Sequence, residues 1–286
     1  MNNGLTVHKK RPADTVMYGL IYLCAGLSVA LLIVLLAYVL VKGIGAVNWQ
    51  FLTTVTSVLK GTVGIAGNLL NTLIIVLLTM LIATPLGVGA AVYLNEYARP
   101  GKLVSIIEFA TETLSGIPSI IFGLFGSMFF GETLGLGYSL LTGSLTLILM
   151  VLPLITRNTQ EALKTVPDSY RSGALGLGAG KWYMIRTVLL PSAAPGILTG
   201  AILAIGRIVG ESAALLFTAG AGKLVAKSLL AAYSRSGASL AVALYLYVFE
   251  EGNFQVGYAI ALVLLVLVTA INLAAKWARK ALKQKT

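Results

Sequence analysis

Long apolar runs recur along this chain and constrain it more than any other feature. A helix needs about 20 residues to cross a hydrocarbon core ~30 Å thick, and uncharged or nearly uncharged runs of that order lie at 16–41, 68–94, 103–130, 138–156, 196–220 and 254–275. Backbone placed in lipid must satisfy its own N–H and C=O groups, which favours helices over open strands. The expected fold class is therefore all-α: a polytopic membrane protein with six transmembrane helices. The expected organisation is a tail at 1–15, a membrane domain over 16–278 that includes a polar loop at 159–195, and a basic tail at 279–286. Only 11% of residues are charged, against about 25% in soluble domains, so an ordinary soluble fold is excluded. The first apolar run is too long for the core of a signal peptide and reads as an uncleaved span.

The net charge of +11 is first a matter of topology, because Lys and Arg accumulate in cytoplasmic loops. Six spans place both termini on one side. That side receives Lys9, Lys10, Arg11, Arg99, Lys102, Arg157, Lys164, Arg171, Lys181, Arg186 and the cluster from Lys276 to Lys285; the other receives Lys42, Lys60, Lys223, Lys227 and Arg235. Both termini and the 159–195 loop are thus expected in the cytoplasm, and the charge needs no nucleic-acid partner. The basic tail can also meet anionic lipid headgroups. Segment 236–249 is too short to span and is expected as part of an external loop holding an interfacial or re-entrant helix.

Ionisable residues inside spans are costly, roughly 2.5–3.5 kcal/mol each at a helix centre, and usually serve a pathway. The fifth run contains Arg207 and Glu211, spaced to share a helical face. Arg offers a planar fork of donors that suits an oxyanion, so Arg207 is expected to contact substrate, with Glu211 neutralising and aiming it. The competing reading is an ion pair that locks two helices. Glu108 and Glu112 in the third run, followed by Pro118, are candidates for gating or for solvated, Arg-paired groups at the interface; Pro118 is expected to kink its helix.

Enzymatic chemistry finds no support. His8 is the one histidine and Cys24 the one cysteine, so no His-activated nucleophile, disulfide or Cys-based metal site can be assembled within the chain, and no metal or cofactor is expected. Gly180-Lys181 fails as a P-loop, because Leu175 stands where a Gly is needed and Trp182 where Ser or Thr is needed.

The 159–195 loop reads as a helical pair on the membrane surface. Within it, Ser172-Gly173-Ala174, Gly178, Val188 and Leu190-Pro191 keep the spacing of the E-A-A-x3-G-x9-I-x-L-P motif. In this the chain resembles the permease subunits of type I ABC importers, with Ser172 in place of the acid. Asn68-Leu69-Leu70-Asn71-Thr72, Pro85-Leu86-Gly87, the 93–97 segment Tyr-Leu-Asn-Glu-Tyr, Ser115-Gly116-Ile117-Pro118-Ser119 and the 206–218 stretch resemble the PstA class of phosphate permeases. The resemblance implies that the loop couples to an ATPase through Asp168, Arg171, Ala174, Gly178, Leu190 and Pro191, with Arg171 or Asp168 standing in for the missing Glu. It implies a complex with a PstC-like permease, two PstB-like ATPase subunits and an external PstS-like phosphate-binding protein in a bacterial inner membrane. Other oxyanions (sulfate, molybdate, phosphonate) suit the same Arg. A secondary anion transporter or channel and a non-transporting scaffold are the readings from other classes.

Overall fold

A computed structural model describes residues 12–57, 61–99, 101–222 and 233–283. The basic residues Lys9, Lys10, Arg11, Lys60, Lys223, Lys227 and Lys285 lie outside them. Helix α1 (Pro12–Ile44) leads through a short α2 (Trp49–Thr53) to an antiparallel pair of strands, β1 (Val55–Ser57) and β2 (Thr62–Ile65), with Val55 opposite Ile65. Then come α3 (Ala66–Val92), closed by a π-helical turn at Tyr93–Tyr97, α4 (Lys102–Gly116), α5 (Ser119–Gly126) and α6 (Leu140–Lys164). Two surface helices follow, α7 (Asp168–Gly176) and α8 (Lys181–Met184), the latter running on through a π-helical turn into α9 (Leu190–Gly210). The chain closes with α10 (Ala213–Thr218), α11 (Leu240–Tyr245) and α12 (Phe254–Lys283).

Five helices among the described residues are long and apolar enough to cross a membrane, and six if α4 and α5 count as one span. These two differ from the continuous third span expected over 103–130: they meet at an angle of 101°. The cause is local. Pro118 has no N–H to donate, and its ring drives the preceding residue out of the helical region; Ile117 sits at φ −72°, ψ 132°. At about 1.5 Å per residue, neither limb reaches across ~30 Å alone. The run at 138–156 continues as helix to Lys164, and α9 joins α8 without a break, so much of the presumed loop at 159–195 is helical. Segment 236–249 holds a helix too short to span, α11 with its π-helical extension, and its residues Leu240 to Ala243 are buried where it packs against α3 and α12.

Helix α6 is the axis of the bundle: 67% of its most apolar window is buried, against none in α1. Helix α3 packs along one side of it and α9 along another, and glycines permit the approach. A Cβ at Gly87 would come within 2.7 Å of Ile155 Cγ2, and one at Gly123 on α5 within 2.8 Å of Ala214 Cα on α10. Small residues at such crossings let backbones close up where lipid offers no hydrophobic drive between helices. Helix α1 stands apart, touching α12 through Gly43 against Tyr258 and through a Tyr38–Tyr258 hydroxyl contact of 3.1 Å.

At the strand end of the bundle, Asn68 and Asn71 donate to the Ala238 carbonyl (3.0 and 3.2 Å), and Thr72 Oγ1 accepts from Leu240 N (2.9 Å). Ser139, the N-cap of α6, donates its N–H to Thr218 O. This end is stitched by side chain to backbone bonds wherever helices stop.

Replacing Gly87 or Gly123 by Val should lower the thermal unfolding midpoint of the detergent-solubilised protein, since overpacking costs roughly 1–3 kcal/mol. Gly26→Val on α1, where an added Cβ meets nothing within 4 Å, should leave the midpoint unchanged.

Candidate functional site

Arg207 lies in the last turn of α9, where a cation is favoured by the helix dipole. It is half-buried and, among the described residues, has no ion-pair or hydrogen-bond partner. The expected pairing with Glu211 on one helical face is not formed, because the helix stops one residue earlier. Glu211 is extended at φ −78°, ψ 119°, and its Oε1 instead accepts from Ala214 N at 3.0 Å, capping α10. The span expected as one run over 196–220 is thus two helices with a break at 211–212. Cβ atoms built on Gly206 and Gly210, the glycines flanking Arg207, meet nothing within 4 Å. Arg207 thus stands one turn before a break in its helix, an arrangement seen where membrane helices line a polar cavity.

Glu108 and Glu112 are both exposed on α4, a helix with no buried residue. Glu112 pairs with Arg157 of α6 at 3.4 Å, and with Glu108, Gln160, Glu161 and Lys164 they line a polar cleft of about 210 Å³. Pro118 lies at the bend that separates this cleft from α5. Beside the cleft, sharing Thr111, lies an apolar cavity of about 490 Å³ lined in part by Ile107, Leu114, Ile117, Phe122, Phe125 and Leu152.

The surface hairpin α7–α8 is shaped by Gly178. Gly178 N bonds Leu175 O (2.9 Å) and Ala179 N bonds Ala174 O (3.0 Å), with Gly178 at φ +82°. This is the Schellman termination, which favours a residue without Cβ at that position. Ala174 and Leu190 pack on a buried cluster of Val92, Ala162, Leu163, Val166, Met184 and Ile185, which seats the hairpin on the ends of α3 and α6. Pro191 occupies the first turn of α9. Leu177 at the hairpin tip is 92% exposed and with the exposed Tyr170 and Tyr183 lines a groove of about 520 Å³; Trp182 is exposed as well.

Of the two residues offered as stand-ins for the missing acid, Arg171 and Asp168, Arg171 points inward. Its Nη2 donates to Glu96 Oε1 (2.9 Å) and Leu163 O (3.1 Å), its Nη1 to Val166 O (2.9 Å) and Asp168 Oδ1 (3.0 Å), and its Nε to the Glu96 carboxylate (3.3 and 3.4 Å). Every N–H of the guanidinium is engaged. The hydrogen bond it donates to Glu96 is the main cause holding Arg171 more basic than usual, against the opposing effect of burial. Asp168, by contrast, is 97% exposed despite its contact with Arg171. Ser172 bonds back to carbonyls of its own helix and supplies no acid. In the sequence Glu96 stands out only as part of the 93–97 motif. Its partner lies 75 residues away, so spacing could not reveal it; an acid ending an otherwise apolar run was the available signal.

Residues 83–286 match the family of binding-protein-dependent transport system inner membrane components. The chain is 42% identical over 211 residues to a probable ABC transporter permease protein, YqgI, of Bacillus subtilis, covering 74% of this chain and 72% of that one. It is 39% identical to the phosphate transport system permease protein PstA of Xylella fastidiosa, covering 62% of each chain, and 34% identical to that of Haemophilus influenzae, covering 76% and 77%. Among solved structures it resembles the bacterial alginate ABC transporter (TM-score 0.69, 14% identity, 92% and 93% covered) and the inward-facing MetNI methionine ABC transporter (TM-score 0.60, 24% identity, 77% and 94% covered), likenesses of fold.

The Glu112–Arg157 pair is solvent-exposed, and such pairs contribute about 0–1 kcal/mol. Glu112→Gln should therefore leave the unfolding midpoint of the solubilised protein almost unchanged.

Proposed function

The chain belongs to the binding-protein-dependent transport system inner membrane components, and we propose that within this family it is a permease subunit of an ATP-driven importer of inorganic phosphate. It has the type I ABC importer permease fold, with multiple membrane-crossing helices; ATP hydrolysis belongs to a separate subunit of such transporters, so the chain is not an enzyme.

One observation carries the substrate reading: Arg207 is half-buried without a counter-ion among the described residues, one turn before a break in its helix. A buried cation without a partner is expensive, and an anion passing beside it offsets that cost. The forked donors suit a tetrahedral oxyanion, and the names of the PstA relatives favour phosphate over sulfate, molybdate or phosphonate. Glu211 acts by ending α9 and starting α10, which leaves the guanidinium to the substrate. A second, PstC-like permease completes the pathway. Pro118 gives the third span a joint, and Glu108 and Glu112 at its mouth, with Arg157, form a charged gate.

Two PstB-like ATPase subunits drive the pair, one seated on the α7–α8 hairpin, where the exposed Leu177 and its aromatic neighbours form an apolar docking face and Asp168 supplies the outward acid. The distribution of Lys and Arg supports placing that hairpin and both termini in the cytoplasm. The strand end then faces outward, where a PstS-like phosphate-binding protein delivers the anion.

The test is uptake of labelled phosphate into vesicles holding the assembled complex. ATP-dependent uptake should resist competition by sulfate and molybdate and be lost in Arg207→Ala with the complex still assembled; Arg207→Lys should restore little, because the fork is gone. Full uptake in Arg207→Ala would remove the site assignment. Uptake of another oxyanion would change the substrate alone, and flux without ATP would point to a channel or secondary transporter. Gly178→Asp should leave ATP hydrolysis intact and reduce uptake per ATP, since it puts a Cβ at positive φ and an anion on the docking face; unchanged coupling there would remove the hairpin from the mechanism.

A further inference from the structure

The π-helical turn that ends α3 is held by both limbs of the surface hairpin. From α7, Arg171 reaches Glu96, whose side chain is only 6% exposed, and from the start of α8, Lys181 Nζ stands 4.8 Å above the Tyr97 ring. Asn95 Nδ2 also donates to Glu96 Oε1 at 2.7 Å, which fixes the carboxylate's orientation. The same guanidinium caps the Leu163 carbonyl at the end of α6. A cation–π contact at an exposed site is weak; a nearly buried, forked ion pair is directional and costly to break. A single residue pair thus carries most of the polar attachment between hairpin and membrane helix.

At its other end, α3 is fastened equally firmly, through Asn68, Asn71 and Thr72, to the 238–240 segment. With its π-helical turn it is one helix of 32 residues, about 48 Å at 1.5 Å per residue. We propose that Glu96 is a positioning residue that fastens α3 to the α7–α8 hairpin, so that displacement of the hairpin is carried along α3 to the strand end of the bundle. This rests on the hairpin being the docking site of the ATPase. It assigns the ionic device of the hairpin to a contact inside the chain, in keeping with the inward-turned Arg171 and with Ser172, which offers no charge to a partner.

The experiment uses the full complex in vesicles, with ATP hydrolysis and phosphate uptake measured on the same preparation. Glu96→Gln should assemble and hydrolyse ATP at close to the wild-type rate while uptake per ATP falls about tenfold, a size ordinary for energetic coupling between sites. Exchanging the charges, Glu96→Arg with Arg171→Glu, should recover part of that ratio. A residue with a purely structural role would lower the amount of complex and leave uptake per ATP unchanged, and that result overturns the proposal. If the Glu96 variants fail to assemble, Lys181→Met, an exposed change, should still lower uptake per ATP by a smaller factor; no change there overturns the two-point attachment. A wild-type chain that retains no ATPase sinks the docking reading and this one together, whereas a coupled wild type with a coupled Glu96→Gln sinks this one alone.

Discussion

A peptide group removed from water must find its hydrogen bond within the protein, and this requirement governs where the chain can bend. Over its apolar runs the answer is the helix. Each interruption is then local and accounted for. At Ile117-Pro118 the proline brings no donor of its own, and at Glu211 a carboxylate replaces the missing carbonyl for α10. At the strand end, asparagine and serine side chains bond the backbone of 238–240 and the start of α6. Close packing of α3, α5, α9 and α10 around α6 follows, because straight limbs with glycine at the crossings are what remains once every bend has been given its partner.

The treatment of charge divides the molecule in the same way. Arg171 has every donor filled and sits over a nearly buried acid, so it acts as structure. Arg157 and Glu112 meet in the open, where water screens them. Arg207 has neither a partner among the described residues nor full exposure. Among the described residues nothing offsets its partial burial, which is what sets it apart from the other two arginines.

The hairpin shows how a sequence motif can be right in position and misleading in chemistry. Ala174, Gly178, Leu190 and Pro191 occupy the places that the motif spacing assigns, and Gly178 has the positive φ that explains a glycine there. The motif could not say which way Arg171 turns. That direction depends on Glu96, carried to it by the parallel course of α3 and α6, and no local pattern encodes a contact made across 75 residues. Likewise Arg207 and Glu211 have the spacing of a helical pair, but the break between α9 and α10 separates them.

By itself the sequence determined the medium, the helical class, the approximate number of crossings and the bias of positive charge, because these depend on how many apolar residues stand in a row and on which loops hold Lys and Arg. It also pointed to a kink at Pro118, since the restriction on the preceding residue is covalent. Tertiary structure alone decided the size of that bend, the end of α9 at Gly210, the burial of α11 and the pairing of Glu96 with Arg171. Each of these depends on what another helix presents at the same point in space, and a one-dimensional pattern carries no term for that.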